Sequence, residues 1–116
     1  MAPASQTSEE IVITEYVLFG LPDDISRADV VKGMHEVVPR WRTERDLIRK
    51  TFVYDAAARQ AGAFYLWKNR TSAELAHGEA WRQRIRATYG SEPTIRYFET
   101  PLVIDNSLGQ VVGEAS

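Results

Sequence analysis

The sequence predicts an α+β domain in which two helices cover one face of a four-stranded antiparallel sheet, in the chain order β-α-β-β-α-β. Three observations predict it. Three runs rich in β-branched and aromatic residues are separated by non-strand segments: IVITEYVLF at 11–19, LIRKTFVY at 47–54 and GAFYLWK at 62–68. Two stretches with helical apolar spacing follow Ser26 and Thr71, each with a capping-box pattern. A fourth β-rich run, TIRYFETPLVI, closes the pattern at 94–104. With 116 residues the chain suits one modest core and is too short for a TIM barrel or a two-half dinucleotide fold.

In the first strand Ile13, Glu15, Val17 and Phe19 share one face, while Val12, Thr14, Tyr16 and Leu18 share the other. Both faces are largely apolar, as a central strand requires. Gly20, Pro22, Asp23 and Asp24 end it. Ser26 with Asp29 caps a helix over 27–38, whose apolar stripe is Val30, Val31, Met34, Val37 and Val38. Pro39 is expected to stop that helix, with Trp41 just beyond it. The second strand carries a cation on each face, Arg49 and Lys50, which suits a sheet edge. The third separates Ala63, Tyr65 and Trp67 from Phe64 and Leu66 and reads as central. Thr71 with Glu74 caps a second helix over 72–89, burying Leu75, Gly78, Trp81, Ile85 and Tyr89. Pro101 in the last strand marks an edge or a bulge.

This order is the ferredoxin-like sandwich. Its helix-free face would leave Val12, Tyr16, Phe64 and Leu66 uncovered, and the simplest cover is a second copy, giving a homodimer with its sheets face to face. Residues 1–10 read as a flexible tail, 11–106 as the domain, and 107–116 as a C-terminal tail, flexible or packed on the partner.

Composition excludes several chemistries. Without cysteine there is no disulfide, thiolate metal site or cysteine nucleophile. Two histidines cannot form a His-rich zinc site alone; a mixed histidine–carboxylate site stays formally open, but no metal is expected. A net charge of −2 argues against a nucleic-acid partner. No apolar run approaches the roughly 20 residues of a membrane span, and the N-terminal segment lacks a secretory pattern. A cytoplasmic protein is the default expectation. No nucleophile triad spacing, phosphate loop or HExxH pattern occurs.

Aromatic side chains with a polar handle suit a pocket for a planar ligand, which singles out Tyr65, Trp67 and Tyr54, with Trp41 and Trp81 as further lining. The alternative is that these rings are core. His77 and His35 sit at the edges of their helix stripes and would be a proton-transfer residue and its competitor, or else surface residues bonded to neighbours. Arg49 or Tyr54 would fix a substrate oxygen. Arg82, Arg84 and Arg86 fan around their helix and suit ion pairing, with Arg82 nearest a pocket mouth.

LIRKTFVY, GAFYLWKNRTSAELAHGEAWRQRI and TIRYFETPLVIDN together resemble the YdhR-like monooxygenases of the dimeric α+β-barrel superfamily. The resemblance spans residues 12–107 and rests on Leu47–Tyr54, Gly62–Trp67, Ser72-Ala73, His77 and Ile104-Asp105-Asn106. The segment Val37–Trp41 departs from it. It implies a homodimer closed into an α+β barrel, with a pocket between sheet and helices in each subunit. The implied activity is cofactor-independent oxygenation of an aromatic or polyketide-like substrate. Cyclisation or isomerisation through an enolate, and noncatalytic ligand binding, are the alternatives; an interaction domain within a larger complex is a third.

Overall fold

A computed structural model describes residues 11–115. Along the chain run β1 (Ile13–Gly20), α1 (Arg27–Arg42), β2 (Leu47–Asp55), β3 (Gln60–Trp67), α2 (Arg70–Ala76), α3 (Glu79–Tyr89), β4 (Thr94–Glu99), β5 (Leu102–Asp105) and β6 (Gln110–Gly113). The strands make a four-stranded antiparallel sheet, in the order β2-β3-β1-β4, and a separate two-stranded sheet of β5 with β6.

Strand register sorts the side chains. Ile13 opposes Trp67, Glu15 opposes Tyr65 and Val17 opposes Ala63, and Lys50 and Phe52 of β2 oppose Tyr65 and Ala63. These residues share the inner face, under the helices, and with Trp41 and Ala73 they supply most of the buried core. A bulge at Ile48 shifts the β2 register between Leu47 and Arg49. Leu47 therefore joins Lys50 on the inner face, and Arg49 points to the outer one. Gly62 of β3 lies tight against the β1 backbone: a Cβ there would overlap the Val17 carbonyl oxygen.

The expected ferredoxin-like sandwich closing into a dimeric α+β barrel is corrected, because neither sheet closes. The four-stranded sheet is open, with β2 and β4 as its edges. After β4, Thr100 and Pro101 break the strand, since proline has no N–H to continue a ladder. The chain then turns into the β5–β6 hairpin, whose strands pair only with each other. The expected single strand 94–104 is thus two strands in different sheets. Residues 110–113, expected in a C-terminal tail, form β6. The expected flexible tail 1–10 lies outside the described residues.

The helices also differ. Ser26 and Asp29 form the expected capping box, with both reciprocal bonds at 3.1 Å. Yet α1 runs through Pro39 to Arg42. Proline forfeits one backbone bond, while continuing the helix buries Trp41 against Tyr65 and Trp67. The expected helix 72–89 is two helices that break at His77 and Gly78. Asn69, not Thr71, caps the first of them, accepting a bond from Ser72 N–H at 2.9 Å. The break lets Ala73 and His77 face inward and leaves Leu75, expected in the core, 77% exposed.

Candidate functional site

The inner face of the sheet does not meet α1 and α3 everywhere. Small residues at Ala61, Gly62 and Ala63 of β3, and at Gly33 of α1, leave a cavity of about 510 Å³ between them. Its walls are aromatic: Trp41 from α1, Phe52 from β2, Tyr65 from β3, and Trp81 and Tyr89 from α3. Met34 and Val37 add aliphatic surface, and Arg40, Arg84 and Glu36 supply charge.

Lys50 is the amine in that wall. Its Nζ lies 4.1 Å from the Trp41 ring centroid, 4.2 Å from Phe52 and 4.6 Å from Tyr65. Burial among rings disfavours the ammonium form and, helped by the Arg40 guanidinium, pulls its pKa down to about 7 against the opposing pull of Glu15. At neutral pH a large share of Lys50 is therefore free amine. On the same wall, burial first and the Glu15 carboxylate second push the Tyr65 hydroxyl well above its ordinary range, so it stays protonated.

A polar cluster is sealed behind this wall. Glu15 and His77 are both fully buried, with His77 Nδ1 2.8 Å from Glu15 Oε2. The Trp67 indole N–H donates to Glu15 Oε1 at 2.8 Å. The contact between His77 and Glu15 is close but not aligned as a hydrogen bond, and His77 Nε2 has no partner among the described residues. The imidazole is held by rings: Trp81 at 4.4 Å, Tyr65 at 4.7 Å and Trp41 at 5.4 Å between centroids. Burial, with Glu15 alongside, raises the Tyr97 hydroxyl to about 12.

The structure brings together only part of the sequence-predicted site. Tyr65, Trp41 and Trp81 line the cavity. Trp67 faces the helices as expected, but it is fully buried with its N–H committed to Glu15. His77, expected at the cleft mouth, lies behind the aromatic wall because the helix break turns it inward. His35 is exposed on α1 and does not line the cavity. Tyr54 packs with Leu21, Val30 and Ala61 beneath the Arg27 guanidinium. Arg49 is on the outer face, its guanidinium 2.7 Å from Asp105 of β5. Of the three helix arginines, Arg84 rather than Arg82 lines the cavity, while Arg82 and Arg86 pair with Glu92.

Sequence reasoning noted Lys50 among the polarisable groups of 47–75 and as an edge-strand cation, but gave neither it nor Glu15 a role in the site. The signal was present in both strands: each is a charged residue in phase with apolar neighbours, Lys50 with Phe52 and Tyr54, and Glu15 with Ile13, Val17 and Phe19. A charge in such a position must find a partner or lose its charge on folding. Glu15 takes the first course, and Lys50 goes part of the way along the second, holding its proton only in part at neutral pH. Among the described residues no group of three or more His, Asp or Glu is arranged to hold a metal ion. No helix among them is long and apolar enough to cross a membrane. In comparisons with known proteins, no family model and no curated protein matches the chain.

Proposed function

We propose that the chain is a cofactor-independent enzyme that takes a planar aromatic or polyketide-like molecule into this cavity and removes a proton from it with the Lys50 amine. One observation carries the reading: a half-buried amine, poised between its two protonation states, faces three aromatic rings beside a cavity of small-molecule size. A phenolic O–H or an activated C–H would give up its proton to Nζ. The ammonium so formed would then sit beside the new anion and stabilise it. Tyr65, kept protonated, is the donor available for a developing oxyanion. Arg40 and Arg84 favour an anionic ligand.

An electron-rich anion held this way has two fates. With dioxygen it is the reductant: the substrate gives up four electrons and two hydrogens in all, one oxygen atom enters its ring as a carbonyl to leave a quinone, and the second leaves as water, which is the monooxygenase outcome. Without oxygen transfer, reprotonation elsewhere or attack on an internal carbonyl gives isomerisation or cyclisation. The motif resemblance to YdhR-like monooxygenases favours the first.

The test uses 1-naphthol and an anthrone as probes. Both should quench Trp41 and Trp81 fluorescence on binding, and the anthrone should drive oxygen uptake. Lys50→Met should lower that turnover about 10²-fold or more, and the wild-type rate should rise with pH through about 7 as the amine loses its proton. Undiminished turnover by Lys50→Met would refute the base assignment. Binding without any turnover would favour a noncatalytic ligand-binding domain.

A homodimer is proposed on separate ground. On the outer face, Phe64 and Phe98 are 44% and 42% exposed, and Tyr16 stacks on Phe64 across the strands at 5.1 Å. A second copy is the self-complementary cover for that patch. Sedimentation at about 10 μM should report twice the chain mass; a monomer would refute it.

A further inference from the structure

We propose that Lys50 also acts covalently, its Nζ condensing with the carbonyl group of an aldehyde or ketone to form an imine at the aromatic wall of the cavity. This rests on the reading of the cavity as a small-molecule site, and it narrows the substrate class to carbonyl compounds attached to a flat apolar body.

Three features of the site carry it. The first is position: Lys50 of β2 lines a space of about 510 Å³, large enough to hold a carbonyl compound beside it. The second is surroundings. Among the described residues no carboxylate forms an ion pair with Lys50, and its neighbours are the faces of Trp41, Phe52 and Tyr65. An amine without a salt bridge keeps its lone pair available, and desolvation is the usual way a lysine becomes a nucleophile near neutral pH. Burial has that effect here. The third is stabilisation of the product. An iminium is a cation, and the same rings that face Nζ would hold it by their negative π faces.

The step balances without a redox partner. The Nζ lone pair attacks the carbonyl carbon, forming the C–N bond while the carbonyl π bond opens onto oxygen. Proton transfer from nitrogen to oxygen gives the carbinolamine. Breaking its C–O bond releases water and leaves the imine. Tyr65, protonated on the same wall, is an acid available for the departing hydroxyl. For a β-dicarbonyl substrate the product iminium withdraws electrons from the α carbon, so imine formation would itself promote the enolate chemistry that simple proton abstraction begins.

The chain offers its own controls, since its other two lysines, Lys32 and Lys68, are exposed. The full chain is incubated at pH 7 with 2-naphthaldehyde and cyanoborohydride, which reduces imines in preference to aldehydes, then read by intact mass and peptide mapping. The expected result is a single lysine adduct, heavier by one probe less one oxygen atom, on Lys50, resolved by the map from any label on the N-terminal amine and formed at least about tenfold faster than on Lys32 or Lys68. Lys50→Arg, which keeps the stem and a cation, should abolish it. Equal labelling of the three lysines, or labelling that spares Lys50, would overturn the proposal. The wild-type map alone decides, whatever the variant's stability. Binding of 1-naphthol is measured on the same preparation: if naphthol binds and Lys50 stays unlabelled, the imine proposal is overturned and the cavity reading stands. If Lys50 is labelled and naphthol does not bind, the imine proposal stands and the phenol reading fails.

Discussion

Replacing Lys50 with methionine should stabilise the protein, and the gain should depend on pH. The unfolded chain holds this lysine at its ordinary value near 10.5, whereas the folded chain holds it at about 7. Between those values the unfolded state binds the extra proton, so raising the pH favours the folded state. Each unit of difference corresponds to about 1.4 kcal/mol. From pH 7 to pH 9.5, wild-type stability should therefore rise by about 3 kcal/mol through this one residue. The window closes near pH 10, where Tyr65 and Tyr97, raised by folding, begin to favour unfolding because only the unfolded chain can release their protons. Lys50→Met has no such proton, keeps an unbranched side chain, and should show a flat profile over the same range. Its advantage over wild type should be largest below pH 7 and shrink as the pH approaches 9.5. Urea unfolding of both proteins at half-unit pH steps measures this. Parallel wild-type and Lys50→Met profiles would refute the claim that the lysine is desolvated among the rings.

Other substitutions test other parts of the account. Gly62→Ala should cost about 4 kcal/mol or more in urea unfolding, because the new Cβ meets the Val17 backbone oxygen and neither strand can move alone. Glu15→Ala should cost about 3–5 kcal/mol, since it strands His77 and the Trp67 indole N–H in the core. Glu15→Gln, which keeps an acceptor for Trp67, should cost less. Trp41→Ala should cost about 3–5 kcal/mol and lower helicity by circular dichroism, because Trp41 anchors the last turn of α1 beyond Pro39. Leu75→Lys should change stability by about 0.5 kcal/mol or less, as befits a side chain turned to solvent.

Period-two alternation made the sheet legible. It separated Tyr65 and Trp67 from Phe64 and Leu66, placed the inner face under the helices, and marked β2 as an edge strand by its two cations. The helix boundaries were harder to read because local signals competed with burial. Pro39 is a stop signal, yet the gain from burying Trp41 against Tyr65 and Trp67 outweighs one lost backbone bond. Gly78 reads as an ordinary member of a helix stripe, but it is where one helix ends and the next begins, and that break moves His77 from the edge of the stripe into the core. The site misled for a related reason. Histidine is the familiar proton carrier, so His35 and His77 drew the attention, whereas the surroundings of Lys50 are built from three rings on three separate elements. Only Phe52 is its near neighbour in sequence; Trp41 and Tyr65 come from α1 and β3.

The central claim is that a free amine stands in the aromatic cavity, and nuclear magnetic resonance of the lysine side chains tests it most directly. The protein is labelled at the lysine ε carbons, Lys50 is assigned with Lys50→Met, and the three resonances are followed from pH 5 to pH 11. The account predicts that Lys50 titrates with a midpoint near 7 and that its resonance moves when 1-naphthol is added. A Lys50 midpoint near 10.5, unmoved by the ligand, would contradict it.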